Sequence, residues 1–189
     1  MATNLASLIK RALLPKRRRD FVRDERGVTA VEFGILAVPF FSIIGAILET
    51  SLVFLSGQIL DSAVQDSGRL LRTGQVQAAN YTPAKFREYV CGRLYGLFNC
   101  SNLFVEVQVL TSFNAATIKP PVDYSCKTQD ECKWNRPEAY SPGAGSSIVV
   151  VQVYYKWPIM LNFGSLLANL GTGEHLLGAA TVFRNEPFS

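Results

Sequence analysis

Four cysteines, one histidine and an isolated carboxylate near the start of an apolar run are the residues that could do chemistry. Cys91 and Cys100 have eight residues between them, and Cys126 and Cys132 have five. Those spacings do not fit a tetrahedral zinc site, and His175 is the only histidine available as a further ligand. An even cysteine count fits disulfides in an oxidising compartment, with three connectivities open. The local pairing, Cys91 with Cys100 and Cys126 with Cys132, is the expected one. A continuous helix from 91 to 100 would hold the two α-carbons about 13 Å apart, beyond the disulfide reach of roughly 7 Å. The chain must therefore turn between them, and Gly96 and Asn99 permit it. Crossed pairings and free thiols are the alternatives.

Catalytic chemistry finds little support. His175 lies beside Gly173 and Glu174 and reads as a solvated loop residue. Gly143-Ala144-Gly145-Ser146-Ser147 is not a Gly-x-Ser-x-Gly elbow, and Gly171-Thr172-Gly173 is too short to cradle a phosphate. Asp123, Asp130 and Glu131 could attract calcium, but a solvated acidic loop is the simpler reading. The expectation is no catalytic residue, no metal, no cofactor and no enzyme: a protein that binds and assembles.

Charge is unevenly placed along the 189 residues. The chain carries a net +4, yet residues 1–27 alone hold eight bases against three acids, and the remainder is nearly neutral. The basic pI belongs to a short leader, so nucleic-acid binding by the folded part is disfavoured. Within the leader, Leu5, Leu8, Ile9, Ala12 and Leu13 keep helical spacing around Lys10 and Arg11 up to Pro15. Such a segment suits an anionic membrane surface. From Val28 to Leu60 the only charges are Glu32 and Glu49. Val28–Leu48 spans about 31 Å as a helix, against a hydrocarbon thickness of roughly 30 Å. One transmembrane helix is expected, with the basic leader kept in the cytoplasm and residues from about 58 exported. Pro39 lies inside it and removes one backbone hydrogen bond.

The helical rhythm continues through Leu52, Leu55, Ile59, Leu60, Ala63 and Val64, which predicts one helix over about 28–73, its second half amphipathic. Gly57 and Gly68 weaken it without ending it. Thr82-Pro83 opens a second helix with Phe86, Val90, Leu94 and Leu97 on one face. Residues 103–110 alternate as a half-buried strand, 148–157 form the strongest strand, and 179–184 a last one. Residues 111–147 are loop-rich, and 158–170 read as a short helix closed by Gly171. The fold class is α+β: a long membrane helix leading into an exported domain with a second helix and a small antiparallel sheet. The domain plan is 1–27 leader, 28–57 transmembrane helix, 58–189 exported domain.

The most informative stretch is Arg26-Gly27-Val28-Thr29-Ala30-Val31-Glu32-Phe33. Thr29-x-x-Glu32 matches a capping box, which would make Glu32 a purely structural residue. Its place about 7 Å into the helix keeps the carboxylate near the headgroups. The same stretch resembles the class III, type IV-like signal of prepilins. That resemblance implies peptidase cleavage between Gly27 and Val28 on the cytoplasmic face, with Glu32 fifth in the mature chain. A residue without a β-carbon suits a tight peptidase cleft. It also implies that Glu32 neutralises the new N-terminal ammonium of a neighbouring subunit. Two charges about 4 Å apart at an effective dielectric of about 20 attract by roughly 4 kcal/mol before desolvation.

Ala30-Val31-Glu32-Phe33 with its apolar run, and the ending Ala180–Phe188, resemble the TadE-like family of the tight-adherence (Tad, Flp) pilus machinery. The resemblance covers roughly residues 17–72 and 178–189. It implies a pseudopilin or minor pilin of a bacterial inner membrane, with a periplasmic domain. The implied partners are a prepilin peptidase, other pilins and pseudopilins, and Tad secretion-platform proteins; Glu32 and Phe33 would serve recognition and assembly. The alternative is an uncleaved single-pass scaffold of the same machinery. Two rivals are weaker. Arg18-Arg19 resembles a twin-arginine export signal, but no Ala-x-Ala cleavage site follows. Asn80-Tyr81-Thr82 and Asn99-Cys100-Ser101 match the glycosylation pattern, which three residues meet by chance.

Overall fold

The computed structural model describes residues 27–161 and 167–188. The basic leader, and with it the amphipathic segment expected there, lies outside the described residues. So does the centre of the helix expected over 158–170; the described residues on either side of that centre are not helical. The chain divides into two compact units, the first ending at Gly45 and the second running from Ala46.

The long helix α1 spans Val28–Arg72, one residue short of the predicted end and uninterrupted by Pro39. From Val53 onward its buried positions are Val53, Ser56, Leu60, Ala63, Val64, Ser67, Gly68 and Leu71. Steps of three and four place these on one face, as the 3.6-residue period requires. They share a core with Val105, Val107, Val149, Val151 and Val153 of the sheet. Each fully buried Leu or Val there contributes about 1.5–3 kcal/mol relative to exposure. Gly68 lets Thr181 and Phe183 approach the helix: a β-carbon at that position would stand 2.9 Å from the Thr181 methyl and 3.1 Å from the Phe183 ring.

After a four-residue helix α2, Gln75–Ala78, helix α3 spans Pro83–Gly92. Thr82 caps it, its hydroxyl accepting from the Lys85 amide at 3.2 Å, with Pro83 in the first position. Helix α3 stops before Leu97. Tyr95 (φ 52°) and Gly96 (φ 73°) reverse the chain, and the Asn99 side chain accepts from the Ser101 amide at 3.1 Å to open a 3-10 turn over Cys100–Asn102. The reversal brings the α-carbons of Cys91 and Cys100 to 5.8 Å, at disulfide distance.

The sheet has three antiparallel strands in the order β1 (Phe104–Leu110), β2 (Ile148–Pro158), β3 (Glu174–Arg184). Val105 pairs with Val153, which pairs with Ala179 on its other side. Strand β3 starts five residues earlier than its sequence pattern indicated, because the full length of β2 is available to pair with it. His175 is therefore a strand residue opposite Trp157 and not a loop residue. Strand β1 is also more covered than a half-buried strand: Phe104, Val105, Glu106 and Val107 are all buried. Its first face packs on α1. Its second face carries a smaller core of Phe104, Tyr154 and Leu176, closed by Val122, Cys126, Cys132 and Leu170. The segment that closes it is stapled at Cys126–Cys132, α-carbons 5.2 Å apart. Strand β1 is not a bare edge either. Val107 donates to the Ala139 carbonyl and accepts from the Ser141 amide, both at 2.8 Å.

Candidate functional site

The residues singled out at the chain's apolar start sit at the first turn of α1. Gly27 forms a single 3-10 position before Val28 opens the helix. Among the described residues, a β-carbon at Gly27 would meet nothing within 4 Å. Val28, Glu32 and Phe33 are all exposed. The capping box does not form. Thr29 lies inside the helix rather than at its cap, and among the described residues no hydrogen bond joins it to Glu32. The physical reason is that the helix begins at Val28, two residues earlier than a Thr29 cap requires, so the Thr29 backbone is already helical.

Beyond Glu32 the helix is long and apolar enough to cross a membrane, and its most apolar 18-residue stretch is wholly unburied. Phe33, Leu36, Ala37, Pro39, Phe40, Phe41 and Ile43 border a shallow apolar groove of about 480 Å³. The Phe40 and Phe41 rings meet edge to face at 5.4 Å. Ser42 returns its hydroxyl to the Val38 carbonyl at 2.8 Å, which satisfies that group within the helix.

Glu49, the second carboxylate of the apolar run, was not singled out from sequence and is the better-placed group. It is 5% exposed. Its two oxygens accept from the amides of Met160 at 2.8 Å and Leu161 at 2.9 Å. The signal that could have found it is its isolation: an unpaired carboxylate after sixteen uncharged residues needs donors, and backbone amides are the ones within reach.

The far end of α1 is closed by the C-terminal residues. The Glu186 amide donates to the Arg72 carbonyl at 2.9 Å, and the side chains pair at 3.6 Å. The Asn185 side chain donates to the carbonyls of Pro142 and Ala144 at 3.1 and 3.0 Å. The Phe188 ring lies against Gly74, whose φ of 75° and 2.7 Å clearance leave no room for a side chain. These contacts give the ending Ala180–Phe188 a structural purpose: it latches the end of the helix to the sheet.

The other candidate groups are drawn into structural roles. Asp123 accepts from the Ser125 amide and hydroxyl at 2.8 Å each, and those bonds hold its carboxyl below the usual range. Asp130 is likewise lowered by Lys133, and Glu131 accepts from the Lys127 amide at 2.8 Å. Asp123 and Glu131 accept from backbone amides and Asp130 pairs with Lys133 at 2.6 Å, and the three do not form a metal-holding group among the described residues. His175 turns Nδ1 to the Leu167 carbonyl. Glu106, 2% exposed, is held by Arg136 at 2.8 Å and by the Gln108 side-chain Nε2, which donates at 2.7 Å. Arg136 reaches on to the carbonyls of Lys119 and Pro120. Burial lowers the Lys156 ammonium, with Glu174 opposing the shift.

No curated protein and no solved structure matches the chain. The family model described as TadE-like protein matches residues 27–69, which begin at the leader glycine and end near the close of α1. The resemblance seen at the C-terminal end lies outside that match. The matched segment, which holds Gly27, Glu32, the apolar helix and Glu49, is similar to the TadE-like family.

Proposed function

We propose that the protein is a membrane-anchored pseudopilin or minor pilin that takes part in assembling a Tad/Flp-type adhesion pilus after prepilin-peptidase cleavage between Gly27 and Val28. The leader is cytoplasmic, α1 crosses the bacterial inner membrane, and the cysteine-bearing domain is periplasmic. Other pilins and the Tad secretion platform are its partners. One observation carries the reading: among the described residues nothing stands within 4 Å of a β-carbon placed at Gly27, directly before a helix that starts at Val28 and shows Glu32 and Phe33 on its surface. A peptidase needs the scissile bond accessible, and a partner subunit needs the carboxylate unoccupied by its own helix cap. An unburied apolar stretch after it can serve lipid first and neighbouring helices later.

Intact-mass measurement of the protein from membranes of cells containing the peptidase tests this. The mature chain starts at Val28, and Gly27→Leu retains residues 1–27, because a branched side chain clashes at the scissile position. A wild-type protein that keeps its leader overturns the processed-pilin reading in favour of the uncleaved scaffold.

A further inference from the structure

Exposed apolar surface on α1 does not stop at Glu49. Leu52, Phe54 and Leu55 are exposed, Phe54 at 70%, whereas Gln58, Asp61 and Ser62 occupy the exposed positions that follow. With α1 crossing a bilayer, as in the function proposed above on which this inference rests, the water boundary on the helix falls just past Leu55. Glu49 lies six residues before Leu55, about 9 Å along the axis at 1.5 Å per residue. The amides of Met160 and Leu161 are bonded to Glu49, so this part of the chain sits at Glu49's level, inside the apolar zone.

The side chains at that level are apolar and outward. Met160 is 79% exposed and Leu161 is 41% exposed, while the preceding Ile159 packs on the domain core. Trp157, half-buried at the end of β2, precedes them, in the position that interfacial tryptophans favour. The polar groups at this end of the sheet are engaged. The Thr172 hydroxyl donates to Glu174 at 2.8 Å, and the Lys156 ammonium donates to the Cys132 carbonyl. Glu49 itself is removed from lipid by burial and by its two amides, which offsets the cost of a carboxylate at this depth.

We propose that Met160 and Leu161 form a second membrane contact, entering the headgroup–acyl boundary of the phospholipid leaflet from which α1 emerges. Glu49 fixes their depth. The domain is then held to the bilayer at two points, a helix and a loop, which restricts its rotation about α1. The occupant is lipid because the patch continues, at one level, the exposed apolar surface of a helix apolar enough to cross a membrane. The contact goes beyond the pilin reading and does not depend on leader removal.

The test uses the full chain in phosphatidylethanolamine–phosphatidylglycerol vesicles, with an environment-sensitive fluorophore on a single added thiol, the four native cysteines being oxidised. Met160→Cys and Leu161→Cys are the test sites, Leu55→Cys the membrane reference and Tyr124→Cys, exposed on the stapled segment, the aqueous reference. The expected result is quenching at 160 and 161 by acyl-chain nitroxide lipid, as at 55, and loss of the iodide quenching seen at 124. Adding Glu49→Gln should shift the 160 label toward iodide access. Iodide quenching at both test sites equal to that at 124 overturns the proposal. Protection from both quenchers overturns it too, since a second copy of the chain would then cover the patch. A chain that keeps its leader but shows lipid quenching at 160 would defeat the pilin reading while leaving this contact intact.

Discussion

Glu49 and Met160, 111 residues apart in sequence, are joined by a 2.8 Å hydrogen bond from the Met160 amide to the Glu49 carboxylate, and the Leu161 amide completes a two-point clasp. Bonds from neutral donors to an ionised, buried acceptor are about twice as strong as neutral ones. Glu49→Ala leaves two amides without their acceptor and should cost about 2–4 kcal/mol. Glu49→Gln, which keeps one acceptor oxygen, should cost less. Proteolytic cleavage between Trp157 and Leu161 in the detergent-solubilised protein measures this, and an unchanged cleavage rate in Glu49→Ala would show the clasp to be inert.

Among the described residues Arg136–Glu106 is the ion pair with the most buried carboxylate, Glu106 being 2% exposed. Arg136→Met should destabilise by about 3–5 kcal/mol by leaving a carboxylate buried without its partner. Replacing both, with Glu106→Leu added, should recover most of the loss. A double-mutant cycle by denaturant unfolding decides it, and a double variant whose cost equals the sum of the two single costs would refute the coupling.

Removing the Cys126–Cys132 staple by serine substitution should cost about 2–3 kcal/mol in the chain-entropy model. It should also red-shift Trp134, whose ring lies 5.3 Å from Phe104 in the smaller core. Non-reducing peptide mapping checks the pairing directly: a peptide linking Cys91 to Cys126 would disprove it.

Tyr140 gives the domain an alkaline limit. Burial, and secondarily Tyr81, push its phenol up to about 12 from 10.0. Between those values the unfolded chain releases a proton that the native state retains. The native state thus binds more protons, and stability falls as pH rises through this window. The Tyr140 hydroxyl has no hydrogen-bond partner among the described residues. Tyr140→Phe should therefore remove this part of the alkaline loss and raise stability at neutral pH by about 1 kcal/mol. Unfolding curves at neutral and alkaline pH, compared with wild type, measure both effects.

Glu32→Ala should impair pilus assembly more than membrane insertion, since losing a carboxylate makes the helix more apolar. Membrane fractionation together with fibre yield separates the two; equal losses in both would assign Glu32 to insertion.

The sequence by itself determined the long helix, the second helix and the three strands, and it made the local cysteine pairs the expected ones. Each of these rests on near-neighbour physics: 3.6- and two-residue periodicity, a Thr-Pro helix start, and short loops that close readily. Val28–Arg72 could be read almost to the residue because its apolar face is continuous through Leu71. Tertiary structure alone decided the rest. The length of β3 and the place of His175 came from pairing with β2, and the buried second face of β1 came from a proline-rich segment with no periodicity to betray it. Thr29 lost its cap role to a helix start two residues earlier. Glu49 could be seen as unusual, but its partners are backbone amides, which every residue carries and no sequence distinguishes; only the folded path of the chain brings Met160 and Leu161 to it.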